Sequence, residues 1–174
     1  MRNAAQQTEP VARFLYGGSY STASDLYLKA ITGAGSKFTD KECRTLAWFI
    51  GASPGPVPPT NGAPADLAPP VPAAVSKIAA DLGANANAFG RIVRHLASHR
   101  ILVEADKIGR TPLYRVTPYI SYKGTAYEQR EAIKRWKPPI VPGVSDPDPG
   151  TPPCKECESP TRKPRKRAAS EATK

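Results

Sequence analysis

The fold class this sequence predicts is mostly α-helical with one small β-hairpin, and three observations predict it. Helical periodicity with start and stop signals runs over residues 39–50, 73–83 and 86–100. A β-rich stretch divided by turn residues follows at 101–116. Proline excludes regular structure from most of the rest: of 20 prolines, eight fall between Pro54 and Pro72 and nine between Pro138 and Pro164. Proline lacks the N–H and clashes with the preceding turn, so few helices or central strands tolerate that density. The material able to fold is therefore 25–53 with 73–137, one domain just large enough to bury a core. Residues 1–24 read as a flexible arm and 138–174 as a disordered Pro-rich, basic tail.

The first helix begins in "SKFTDKECRTLAWFIG". Thr39 and Glu42 have capping-box spacing, and Phe38 and Cys43 stand at the two positions of a hydrophobic staple. Cys43, Leu46, Ala47 and Ile50 recur at helical spacing, and Gly51 with Pro54 ends the pattern. Cys43 therefore reads as a small buried hydrophobe. Upstream, "ASDLYLKAITG" fits either a short helix or an entry strand. Residues 51–74 are a Pro/Ala/Gly loop, expected to run exposed as polyproline and turns.

Residues 73–83 place Val75, Ile78, Ala79 and Leu82 on one face, closed by Gly83, the residue that best accepts a left-handed helix end. "ANAN" follows, where Asn85 or Asn87 can cap the next helix. In that helix Phe89, Ile92, Val93 and Leu96 form the apolar stripe. A step of 100° per residue puts Arg91, Arg94, His95 and Ser98 opposite them. Helix, short turn and helix make a helix-turn-helix. "ILVE" and "LYRV" then flank "ADKIGRTP", which reads as a hairpin with a loop holding Gly109 and Pro112. The order predicts a winged helix-turn-helix. Residues 125–136 read as a last helix, with Thr125 and Glu128 at capping-box spacing and Ile133 and Trp136 on one face.

Lys+Arg number 25 against 15 Asp+Glu, a net charge of +10. The start, "MRNAAQQTEPVARFLYGG", has neither an apolar core nor a cleavage pattern of a secretory signal. No apolar run reaches the roughly 20 residues that span a bilayer, and three cysteines make no disulfide framework. The expectation is a soluble, cytoplasmic, basic protein with no membrane association.

An isolated charged helix face is most often merely solvated. Here the context favours double-stranded DNA, because a recognition helix presents its first turns to base edges and residues 76–137 carry 12 Lys+Arg against 5 Asp+Glu. Small Ala86, Ala88 and Gly90 allow close approach. Asn85, Asn87 and Arg91 supply base-reading groups, and Arg94, His95 and Ser98 lie one or two turns on, within reach of phosphates. Lys107 and Arg110 at the hairpin tip fit either a soluble turn or a backbone contact. Arg162, Lys163, Arg165, Lys166 and Arg167 of "RKPRKR" form a polyanion-binding run without sequence preference, suited to DNA and equally to RNA or anionic lipid.

No metal or cofactor is expected. His95 and His99 have i, i+4 spacing but no intervening acid and no third ligand. "CKEC" at 154–157 is a single C-x-x-C without the second pair that a zinc site requires. P-loop, nucleophile-elbow and paired-carboxylate motifs are absent, so no enzyme is predicted and no catalytic residue is named. Tyr119 and Tyr122 read as packing residues.

The run "SKIAADLGANANAFGRIVRHLASHRILVEADKIGRTPLYRVTPYISYKGTAYEQREAIKRW" resembles the winged-helix region of RepL-type plasmid replication proteins, and its helix-turn-helix half is shared with MarR-like regulators. The more distinctive half is Val116, Thr117, Pro118, Tyr119, then Tyr122, Lys123, Gly124, where Thr117 replaces the family's asparagine. The 51–74 insertion is longer than the family's turn. The resemblance covers residues 25–137. It implies a plasmid or phage replication initiator that binds an origin, nucleoid-associated, with host replication proteins and a second copy of the chain as further partners. A transcriptional regulator and a protein-interaction module of the same fold are the alternatives.

Overall fold

The structure is a computed structural model that describes residues 21–59 and 65–150. The described residues form β1 (Thr22–Ala23), α1 (Asp25–Thr32), α2 (Asp40–Ala52), α3 (Val75–Asp81), α4 (Ala86–Ser98), β2 (Leu102–Ile108), β3 (Thr111–Val116), β4 (Ser121–Tyr122) and α5 (Ala126–Lys134). Helices dominate, with two small two-stranded sheets: β1 pairs antiparallel with β4, and β2 with β3. "CKEC", "RKPRKR" and residues 1–20 lie outside the described residues.

The capping boxes form as spacing predicts. Thr39 Oγ1 accepts from Glu42 N–H while Glu42 Oε2 accepts from Thr39 N–H, and Thr125 with Glu128 repeats the exchange at α5. Each satisfies two orphan donors at a helix entrance. The buried face of α2 differs from the expected stripe. Glu42, Thr45, Leu46 and Phe49 are buried, whereas Ala47 is exposed. A buried carboxylate and hydroxyl on the inner face disguise its apolar period.

The α3 and α4 helices both end in a two-bond terminus. After α3, Gly83 N–H donates to Ala80 O and Ala84 N–H to Ala79 O, with Gly83 at φ +62°. After α4, Arg100 N–H donates to Ala97 O and Ile101 N–H to Leu96 O, so Arg100 takes the left-handed position at φ +56° that glycine usually fills. Fully buried Leu96 and Ile101 provide the apolar contact that accompanies this motif. Arg100 is also tied by its guanidinium to Asp148 at 3.0 Å. Leu82, expected in the core, is 43% exposed and caps α3, which stops at Asp81.

The hairpin is longer than its loop residues suggest. Ile108 pairs with Thr111, leaving a two-residue turn with Gly109 first, at φ +62°. A glycine-first turn of two residues matches the twist of the strands it joins. A register shift between Glu104 and Asp106 marks a bulge.

Three expectations are corrected. The described parts of the 51–74 loop, 51–59 and 65–74, do not simply run exposed. Val71 is buried and donates its N–H to Tyr114 O of β3, Val57 bridges Asp66, and Asp66 pairs with Arg115 at 3.1 Å. Residues 138–150 are not a disordered tail. Val141 is fully buried, Ile140 N–H donates to His99 O, and Asp148 pairs with Arg100 and Lys137. The arm ends before residue 24, since Thr22 and Ala23 pair with Tyr122 and Ser121. In each case one or two apolar or hydrogen-bonding residues dock a segment that has no periodicity of its own.

The core gathers Ile31 of α1, Leu46 and Phe49 of α2, Ile78 and Ala79 of α3, Phe89, Val93 and Leu96 of α4, and Leu102, Tyr114 and Val116 of the hairpin. This packing fixes α4 against α2 and the hairpin, leaving one side of α4 to solvent.

Candidate nucleic-acid interface

Asn85 starts α4: its Oδ1 accepts from Asn87 N–H at 3.0 Å and Ala88 N–H at 3.2 Å. That assigns Asn85 to the cap, and its oxygen is therefore committed to the helix and not open to a base. Asn87, Arg91, Arg94 and Ser98 are exposed. At about 100° per residue they fall within an arc of roughly 60°, one strip running from the first turn to the last. Ser98 Oγ donates back to His95 O, as a serine near a helix end commonly does. Gly90, half-buried on the edge of the strip, has open space where a Cβ would stand.

His95 is the clearest departure from the expected face. Its side chain is buried, and Nδ1 meets Glu42 Oε1 of α2 in a short hydrogen bond. Its angular position lies at the edge of the apolar side, and Glu42 draws the ring inward. His99, one turn on, is buried too and donates Nδ1–H to Ile140 O at 2.8 Å. The two imidazoles stand edge to face at 4.9 Å, with Phe38 5.9 Å from His95 and 5.1 Å from His99. Burial alone would raise the Glu42 carboxyl, but bonds from His95 and Thr39 outweigh it and hold it below its ordinary value. Burial holds His99 below the usual imidazole range despite its bond to Ile140. His95 and His99 therefore belong to the packing of α4. Among the described residues, no group of three or more His, Cys, Asp or Glu is placed to hold a metal.

At the hairpin tip Lys107 and Arg110 are exposed. Lys107 lies 3.6 Å from Glu104, a solvent-exposed pair that holds the lysine only weakly. The net charge of this half overstates its footprint. Arg100, Arg115, Lys134 and Lys137 are each within 3.2 Å of a carboxylate, and Arg115 also lies over the Trp136 ring at 5.1 Å. Arg91, Arg94 and Arg110 form no ion pair among the described residues. Neither do Lys41 and Arg44 of α2, which stand beside the start of α4. Periodicity along α4 gives no sign of these two, because they belong to a separate helix far upstream.

Tyr119 and Tyr122 pack. Tyr119 donates its hydroxyl to Trp136 O at 3.3 Å and meets the Tyr27 ring edge to face at 6.5 Å. The Tyr122 hydroxyl is buried without a hydrogen-bond partner among the described residues, and burial pushes its pKa up. Thr117 has a buried hydroxyl that likewise has no hydrogen-bond partner among the described residues.

Comparison with protein-family models, with curated proteins and with solved structures finds no match for this chain.

Proposed function

We propose that this protein binds double-stranded DNA sequence-specifically as a winged helix, with α4 in the major groove and the hairpin tip against the backbone. The single observation that carries the reading is the exposed strip Asn87, Arg91, Arg94 and Ser98 on a capped helix that leads through His99, Arg100 and Ile101 into a hairpin. Asparagine and arginine are the side chains that read adenine and guanine edges bidentately. Supporting it, the order α2, α3, α4 and hairpin fits a winged helix, and Lys107 and Arg110 supply cations where a wing meets phosphates. The protein acts by binding rather than by catalysis.

The role we propose is initiation of plasmid or phage replication at an origin, with recruitment of host replication proteins. What supports it is the likeness of "VTPYISYKG" and the preceding helices to RepL-type proteins. The test is to clone the DNA flanking the gene into a replication-deficient vector carrying it. Maintenance supports initiation. Repression of a reporter without maintenance replaces it with transcriptional regulation, and absence of preference for the flanking DNA over random duplex overturns both.

A further inference from the structure

Beside α4 lies an apolar groove that the described residues leave open. It sits between α2 and the turn joining α3 to α4, has a volume of about 470 Å³, and its lining includes Lys41, Arg44, Leu82, Ala84, Ala88 and Ile92. Two features give it chemical character. Leu82, 43% exposed, is a large apolar side chain in the groove lining. Positive potential surrounds it: Lys41 and Arg44 are exposed and form no ion pair among the described residues, and no carboxylate lines the groove. The N-terminal end of α4, which also borders it, adds a partial positive charge.

We infer that this groove docks a short acidic amphipathic helix of a protein partner. One or two bulky apolar side chains insert beside Leu82, Ala88 and Ile92, and carboxylates sit against Lys41 and Arg44. Anchor residues in an apolar groove are the usual means by which a helix is read by a protein surface. A nucleic-acid backbone would satisfy the two cations but would leave the apolar floor and Leu82 without a partner, so the observations favour protein. Arg91 is outside the groove lining, so the docked helix lies alongside the exposed strip of α4. The inference stands independently of whether that strip binds DNA.

The test uses the full-length protein labelled with ¹⁵N and a synthetic helical peptide of about 14 residues, with Phe and Leu one turn apart and Glu or Asp at the remaining exposed positions. Saturable shifts at the amides of Lys41–Thr45, Leu82–Phe89 and Ile92 are expected, with a Kd on the order of 100 µM. Leu82→Ser and the double variant Lys41→Glu/Arg44→Glu should each weaken binding about ten-fold. Ala84→Gln blocks the groove by bulk at an exposed position and serves if Leu82→Ser fails to fold. A peptide with Phe and Leu changed to Ala should not bind. The inference is overturned if no shift saturates, if the Ala peptide binds equally, or if shifts centre on Arg91 and Arg94. It is also overturned if the charge variant loses duplex DNA while Leu82→Ser and Ala84→Gln leave peptide binding unchanged.

Discussion

Glu42 of α2 and His95 of α4, 53 positions apart in sequence, share a buried hydrogen bond that joins the two helices. Glu42 uses its other oxygen to cap α2. One carboxylate thus holds both the start of a helix and the orientation of the helix carrying the exposed strip.

Glu42→Ala should therefore destabilise the protein by about 3 kcal/mol, since it removes both a capping box and the buried bond to His95. Urea unfolding of the two proteins measures this. A loss below about 1 kcal/mol would mean that the pair contributes only as an exposed one does.

Stability should fall on mild acidification. His99 is held below its ordinary 6.5, so its contribution is complete above that value and is lost as pH falls through it toward the folded-state pKa. Glu42 is held below its ordinary 4.5, so its contribution is present above 4.5 and is lost as pH falls through the lowered value. Both have the same sign: the fold takes up protons less readily than the unfolded chain. Urea midpoints measured from pH 8 to pH 4 should be level at first and decline below about 6.5. His99→Asn should flatten the upper part of that decline, and an unchanged profile would assign it to other groups.

Arg91→Ala should weaken binding to a preferred DNA site far more than to random duplex. Removing a bidentate pair with a base edge corresponds to roughly 1–3 kcal/mol of discrimination. Equal weakening on both DNAs would move Arg91 to the phosphate-binding class.

Truncation should separate the packed segment from the residues beyond it. A chain ending at Gly150 should keep its cooperative unfolding. If about three to five of the "RKPRKR" cations meet phosphates, its plot of log affinity against log salt should become shallower by about 0.9 for each phosphate no longer neutralised. A chain ending at Lys137 lacks buried Val141 and both bonds between Ile140 and His99. It should be less stable by about 3 kcal/mol. Equal stability of the two chains would show that residues 138–150 add nothing to the fold.

Tyr122→Phe should be neutral or stabilising by up to about 1 kcal/mol, because the hydroxyl it removes is buried without a partner among the described residues. The purified protein should neither nick nor hydrolyse DNA with Mg²⁺, Mn²⁺ or Zn²⁺ present. Covalent DNA adducts abolished by Tyr119→Phe or Tyr122→Phe would falsify the binding-only reading.

By itself the sequence determined what is local. The two capping boxes, Gly83, a cap at Asn85 or Asn87, the exposed positions of Asn87, Arg91, Arg94 and Ser98, and the pairing of "ILVE" with "LYRV" all follow from dihedral preference and periodicity within one or two turns, whereas the choice of Asn85 over Asn87 came from the structure. Tertiary structure alone decided what depends on distant partners. His95 stands at the edge of the apolar side by helical angle, and its bond to Glu42 of α2 decides that it is buried. Leu82 is apolar by pattern yet half exposed on a groove that α2 helps to form. Residues 51–74 and 138–150 have too little periodicity to announce a fold, but Val71 and Val141 are buried in the core that the helices and hairpin form. A side chain's spacing fixes the direction it points along its own helix, and only the neighbouring elements fix whether water, a carboxylate or a core meets it there.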